Sequence, residues 1–321
     1  MDIIEQAATL LQSGKLVAIP TETVYGLGAD AKNSIAVQKI YDAKGRPNTN
    51  PLIIHIPNVG AMSDWAIDIP EDAYLLAAAF WPGPLTLILK RHPSVPLIVT
   101  AGQDTVAVRV PNHPLTLKLL KRLGSGIAAP SANRYGRISP TTPEHVLEEL
   151  GNSVDFILDG GPCAVGIEST IVYLLGSKPL ILREGSISGS NIQQVLGKEV
   201  IKSIEGLEIR SPGSSSSHYA PSKPLYLLEK EDLHDMLLKL IQARKTISVL
   251  SFSEKPIRPN PFVFEWITFP YDPGQYAQQL YQQLRVLDEN DSECILVEMP
   301  PASEPWLGVK DRLQRASRPI K

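Results

Sequence analysis

The chain has 321 residues, 43% of them hydrophobic, which is long enough for two ordinary globular domains and too apolar for a disordered polymer. Its 31 basic and 34 acidic residues are interspersed and leave a net charge of −3, so no basic block points to strong capture of nucleic acid or anionic membrane. The only two cysteines, Cys163 and Cys294, exclude a disulfide framework and a cysteine-based zinc site, and they fit a reducing, cytoplasmic setting.

The opening stretch MDIIEQAATLLQSGK carries Asp2 and Glu5 where a secretory signal is basic, and its helical spacing of apolar residues predicts an amphipathic first helix. No later segment reaches the roughly 18 unbroken apolar residues of a membrane span. KLVAIP predicts a strand, and TETVYGLG, from Thr21 to Gly28, a turn after it that crowds small hydroxyls, one Tyr and two Gly. That is where α/β proteins hold ligands, although the pattern is neither the P-loop nor the dinucleotide-binding glycine motif.

SIAVQKIYDA predicts a helix that Gly45 and Pro47 bring to an end, leaving Lys44 and Arg46 beside Asn50 on a short loop before Pro51. Two cations and an amide suit polyphosphate oxygens; a helix end with a solvated surface loop would look the same. PLIIHI, EDAYLLAAAF, LTLIL and TVAVRV continue an alternation of strands and helices that predicts a mixed α/β sheet. In TVAVRV, Val106, Val108 and Val110 share one face, so Thr105, Ala107 and Arg109 share the other. A guanidinium in so apolar a strand needs an anion, which either a substrate carboxylate or a structural Asp or Glu supplies. His55, ending PLIIHI, reads either as a hydrogen-bonded core residue or as a functional one.

IAAPSANRYGRISPT gathers Ser131, Asn133, Ser139 and Thr141 around Gly136, a composition shared by anion cradles and ordinary turns. GIESTIVYLL and LILREG place Ser169 and Arg183 in or beside strands. From about Ile204 the periodicity fades into SPGSSSSHYAPSKP, which has linker composition. Beyond it PLYLL, EDLHDMLLKLIQAR, TISVLSF, YAQQLYQQLRVLDEN, CILVEMP and VKDRLQRAS repeat a strand–helix rhythm of the length of one small doubly wound domain. The expected domains are 1–203, a linker at 204–223, and 224–321. No nucleophile elbow, zinc-protease helix or clustered acidic metal motif appears, so the site reads as one that positions reactants.

Taken together and in order, TETVYGLG, KGRP…NPLIIHI, VRVPNH, PSAN…G…SPT, GIESTIV, LREG and SPG…HYAP resemble the threonylcarbamoyl-AMP synthase family in its longer two-domain form. The resemblance implies a YrdC-like twisted mixed sheet with flanking helices and a smaller Rossmann-like α/β C-terminal domain. It implies condensation of L-threonine, bicarbonate and ATP into L-threonylcarbamoyladenylate and pyrophosphate, for N6-threonylcarbamoyladenosine modification of tRNA. Carried over by motif, Thr23, His55, Arg109, Ser169 and the backbone at Ala129 would bind threonine. Arg46, Asn50, Thr105, Ser131, Ser139, Arg183 and His218 would bind ATP, with Lys44 and Arg46 as the catalytic cations and Tyr219 as part of a lid formed by the linker. Mg2+ would arrive on ATP and no protein-held metal is expected. The partners would be the three substrates, the downstream tRNA-modification proteins that use the adenylate, and a weak tRNA contact, with no membrane. Departures from the family pattern include Tyr135, where a small residue is usual, and the four-serine run before His218. The rival reading is an RNA-binding module without turnover, in which Lys44 and Arg46 meet RNA phosphates.

Overall fold

The computed structural model describes residues 2–202, 210–211, 218–255 and 260–319. It divides into two units, Met1–Tyr135 with Ser139–Ser214, and Gly136–Ile138 with Ser215–Lys321. The division falls inside the predicted linker, of which residues 204–209 and 212–217, including the four serines, lie outside the described residues.

The first unit is built on a mixed sheet of β1 (Val17–Ile19), β2 (Gly26–Asp30), β3 (Ile53–His55), β4 (Ala66–Ile67), β5 (Leu85–Arg91), β6 (Thr105–Arg109), β7 (Ile127–Ala128), β8 (Phe156–Ile157), β9 (Thr170–Tyr173) and β10 (Leu180–Arg183). Its order is β10-β9-β5-β6-β3-β7-β2-β1-β8, with β4 paired to β5. The alternation read in TVAVRV holds: Val106, Val108 and Val110 join the main core with Leu87 and Leu89, while Ala107 packs on the opposite side with Ile53, Ile88 and Ile171. The first helix, Ile3–Gln12, buries Ile4, Ala7, Ala8 and Leu11. They pack with Leu119, Leu120 and Leu123 of helix Pro114–Leu123 in a second cluster that includes Val17 and Ile19 of β1.

Two local features of this unit fix where the motifs lie. Helix Ser34–Lys44 starts at Asn33, whose side chain accepts from the N–H groups of Ile35 and Ala36, and stops at Gly45 in the left-handed region (φ 62°). β3 runs parallel to β6 in a register that sets His55 opposite Arg109.

The second unit has four parallel strands, β11 (Leu225–Leu228), β12 (Ile247–Ser251), β13 (Val263–Thr268) and β14 (Cys294–Glu298), in the order β11-β14-β12-β13. Helices Lys230–Gln242, Pro273–Glu289 and Leu307–Ala316 complete it, as the C-terminal rhythm predicts. Strand β13, VFEWIT, is absent from that reading; it is the half-exposed edge of the sheet and has no apolar face as continuous as its neighbours. Gly136–Ile138 belongs here through its contacts. Arg137 pairs with Asp288 at 3.0 Å, Arg285 Nη2 donates to the Ile138 carbonyl at 2.6 Å, and Ala220 N–H donates to the Gly136 carbonyl at 2.9 Å.

Candidate functional site

The TETVYGLG segment is a turn followed by a strand, which corrects the expectation of a turn throughout. Thr21 Oγ1 folds the turn on itself, accepting from the N–H groups of Thr23 at 3.1 Å and Val24 at 3.2 Å and donating to the Val24 carbonyl at 2.6 Å. Gly26 and Gly28 then sit in β2 for closeness rather than for an unusual φ. A Cβ at Gly28 would lie 2.8 Å from Ile127 Cγ2, and one at Gly26 would lie 3.1 Å from the Ala129 Cβ. The backbone laces this segment to the serine-rich one, with Leu27 N–H donating to Pro130, Ala132 N–H to Tyr25 and Tyr25 N–H to Pro140. Val165 and Gly166 donate to the carbonyls of Glu22 and Thr23.

Arg109 is gripped on three sides. Nε donates to the Gly83 carbonyl at 3.1 Å, Nη1 donates to Thr23 Oγ1 at 3.0 Å, and Nη2 lies 2.8 Å from Glu22 Oε2. Of the two anion sources left open by the sequence, the structure contains the internal one, and both members of the pair are buried. Glu22 was missed because it lies 87 positions upstream; the signal available was an acidic residue between two threonines in the turn already singled out. His55, on the neighbouring strand, has its pKa pushed down to about 3 by burial and by the Arg109 charge, so it is neutral at pH 7. Its Nδ1 is buried with no hydrogen-bond partner among the described residues. Ala129 donates its N–H to the Ile53 carbonyl at 2.9 Å, directly beside this group.

Lys44 and Arg46 are not on a solvated loop. Both are buried, because backbone carbonyls converge on them. Lys44 Nζ donates to the Ser131 carbonyl at 2.6 Å and to that of Asn133. Burial, with Arg46 nearby, holds its pKa well below the usual lysine range. Arg46 Nη2 donates to the Pro51 carbonyl at 3.0 Å, and its guanidinium stands 5.9 Å from the Tyr135 ring centroid. Asn50 Nδ2 donates to the Tyr135 hydroxyl at 2.9 Å, so the residue that departs from the family pattern is tied to two candidate ATP residues. A surface RNA contact through Lys44 and Arg46 is disfavoured by the same burial.

The remaining candidates form a third group and three outliers. Ser139 Oγ donates to Glu168 Oε1 at 2.5 Å. Ser169 Oγ lies 2.7 Å from Thr86 Oγ1 and accepts from Arg183 Nη2 at 3.1 Å, while Arg183 Nε donates to the Ser169 carbonyl at 3.0 Å. Thr105 begins β6 and Arg109 ends it, four residues or about 13 Å away, so the structure does not bring them together. His218 and Tyr219 belong to the second unit, where Tyr219 stacks on Tyr281 at 6.0 Å and lies under the Arg312 guanidinium at 5.1 Å.

One property unites the first unit. Among its described residues the buried charged side chains are Glu22, Lys44, Arg46, Arg109, Glu168 and Arg183, and every one falls in a motif singled out above. Four of these are basic and two acidic, and since burying such a group costs several kcal/mol unless it is paired or hydrogen-bonded, the motifs hold the most costly side chains of the unit.

Comparison with known proteins finds relatives along nearly the whole chain. The family model described as Telomere recombination (Sua5_yciO_yrdC) matches residues 9–185, and the one described as the C-terminal domain of threonylcarbamoyl-AMP synthase matches residues 187–318. The chain is 41% identical to the threonylcarbamoyl-AMP synthase of Bacillus subtilis, over 98% of this chain and 92% of that one. A putative threonylcarbamoyl-AMP synthase of Mycobacterium tuberculosis is 38% identical over 60% of this chain and 89% of its own. The crystal structure of Pyrococcus abyssi Sua5 complexed with L-threonine superposes with a TM-score of 0.91 at 38% identity, over 98% of this chain and 94% of that one.

Proposed function

Because the chain belongs to the threonylcarbamoyl-AMP synthase family, we propose that it condenses L-threonine, bicarbonate and ATP into L-threonylcarbamoyladenylate and pyrophosphate. The adenylate then serves N6-threonylcarbamoyladenosine modification of tRNA, through downstream proteins that consume it. ATP and tRNA as substrate and end user favour a cytoplasmic setting.

The observation that supports this most is the concentration of the first unit's buried charges in the motifs, with cations in excess. In this reading Thr23, His55, Arg109, Ser169 and the backbone at Ala129 surround threonine. Arg46, Asn50, Thr105, Ser131, Ser139, Arg183 and His218 hold ATP, and Lys44 faces its phosphates. The threonine amine and CO2 give a carbamate, whose oxygen attacks the α-phosphorus as the bond to pyrophosphate breaks. Such a transfer needs alignment and charge stabilisation rather than a protein nucleophile. Mg2+ accompanies ATP and supplies charge neutralisation on the phosphates. Cys163 fits a bystander role, since burial pushes its thiol up to about 12 and keeps it protonated. His55, neutral at pH 7, serves as a hydrogen-bonding group rather than an acid.

The test is incubation of the purified chain with ATP, 14C-bicarbonate and L-threonine. Threonine-dependent pyrophosphate release together with a labelled adenylate is expected. Release that is independent of threonine would remove the assignment.

A further inference from the structure

In the reading above Arg109 receives the threonine carboxylate, yet it already has an anionic partner. Glu22 Oε2 lies 2.8 Å from Arg109 Nη2 and is itself fixed by the backbone N–H of Asn112 at 3.0 Å. A guanidinium carries five N–H groups, and its hydrogen bonds to Gly83 and Thr23 with the contact to Glu22 leave protons on both terminal nitrogens. The pair is therefore arranged to take a further ligand rather than saturated by its own contacts.

The other half of the pair is also incomplete. Glu22 Oε1 is buried and has no hydrogen-bond partner among the described residues. The same holds for His55 Nδ1, and Arg109 Nη2 meets Glu22 without hydrogen-bond geometry. Native proteins seldom leave a buried polar atom unmatched, a charged one least of all. Two such atoms, Glu22 Oε1 and His55 Nδ1, flank Arg109, which shares an ion pair with the one residue and a strand register with the other, so the three residues are arranged to meet the polar groups of a ligand. They present a cation, a neutral ring nitrogen and an anion, which is the complement of an amino-acid zwitterion rather than of a simple carboxylate.

We propose that Glu22 recognises the α-amino group of the substrate, so that the Glu22–Arg109 pair selects an α-amino acid over a carboxylate that lacks the amine. This rests on the reading of the site as threonine-binding and adds a residue to it. Arg109 alone would accept any small carboxylate. With Glu22 beside it, an acid without an amine brings a like charge close to Glu22 and leaves Oε1 without a donor, whereas threonine brings an ammonium that donates to it.

Calorimetric titration of the full chain with L-threonine and with 3-hydroxybutanoate, which keeps the carboxylate and the hydroxyl but lacks the amine, tests this. The wild type is expected to bind threonine at least about 10-fold more tightly than 3-hydroxybutanoate, the worth of one charge-assisted hydrogen bond. Glu22→Gln is expected to weaken threonine by about 10- to 100-fold while 3-hydroxybutanoate binds as well or better. If Glu22 only steadies Arg109, both ligands weaken together and the ratio stays, which overturns the proposal. Glu22→Asp keeps the charge, so it should preserve the preference even where both affinities fall; loss of the preference there also overturns it. Equal affinities in the wild type overturn it without any variant. A wild type that binds neither ligand removes the threonine reading itself, a result distinct from an unchanged ratio.

Discussion

Lys44 Nζ donates to the carbonyl oxygen of Ser131 at 2.6 Å, joining the end of one helix to a loop 87 residues further on. The ammonium also ties the Asn133 carbonyl, and both bonds disappear in Lys44→Met. Losing this donor at one part-buried and one buried contact is expected to cost about 2–4 kcal/mol of folding stability, and adenylate formation should fall below detection. Urea unfolding beside a pyrophosphate assay checks both; a variant as stable as the wild type contradicts the structural half.

Arg46→Ala should show the same combination. The residue is buried, with a bond to the Pro51 carbonyl, so its loss is not confined to phosphate binding as it would be on a solvated loop. We expect a stability loss of about 1–3 kcal/mol together with a raised KM for ATP. Undiminished stability in urea would return Arg46 to the surface.

His55 makes folding sensitive to acid. Its folded pKa is about 3 against an ordinary value of 6.5, so between those values the unfolded chain carries a proton that the folded chain does not. Stability therefore falls as pH drops through this window, by about 1.4 kcal/mol per pH unit at most, or about 2 kcal/mol from pH 7 to pH 5. His55→Gln removes this contribution. Urea midpoints at the two pH values should converge for the variant relative to the wild type, and parallel losses in both proteins would show the imidazole to be uninvolved.

Tyr135→Phe removes the hydrogen bond from Asn50 Nδ2 to the phenol at 2.9 Å. Asn50 is half-exposed, so water can replace the partner, and stability should change by less than about 1 kcal/mol. The freed amide no longer points one way. KM for ATP is expected to rise by about 3- to 10-fold with kcat within about twofold, and an unaltered KM would separate Asn50 from nucleotide binding.

Tyr219 bears on the expected lid. It is buried at a φ of 62°, stacked on Tyr281 and Arg312 within the second unit. Tyr219→Ala should therefore destabilise that unit by about 3–5 kcal/mol, whatever it does to turnover. His218 is buried too, its ring 4.2 Å from that of Tyr219, so His218→Ala is expected to lower the unfolding midpoint and also to raise KM for ATP. A falling midpoint with an unchanged KM would count against the lid.

Much of this was legible in the sequence wherever local chemistry decides the outcome. The helix over Ser34–Lys44 follows from its cap at Asn33 and its stop at Gly45, and the two faces of β6 follow from strict alternation. β2 was not legible, because GLGAD lacks the branched and aromatic residues of ordinary strands and exists to let Ile127 and Val17 come close. The depth of Lys44 and Arg46 was hidden for a related reason. Gly45 and Pro47 announce a loop, while the carbonyls that cover it come from Ser131, Asn133 and Pro51. Glu22 could be inferred only as a demand, since a cation inside an apolar strand requires some anion and spacing cannot say which.

The pairing of Arg137 with Asp288 spans 151 residues, and it has a consequence in time. A ribosome adding about 5–20 residues per second delivers Asp288 roughly 8 to 30 seconds after Arg137. Throughout that interval the tripeptide Gly136–Ile138, set between Tyr135 and Ser139, is without the side chains of Arg285 and Asp288 that hold it. A nascent chain released early thus carries an unfinished stretch in the middle of its serine-rich segment, and that stretch is completed only once Asp288 has been added.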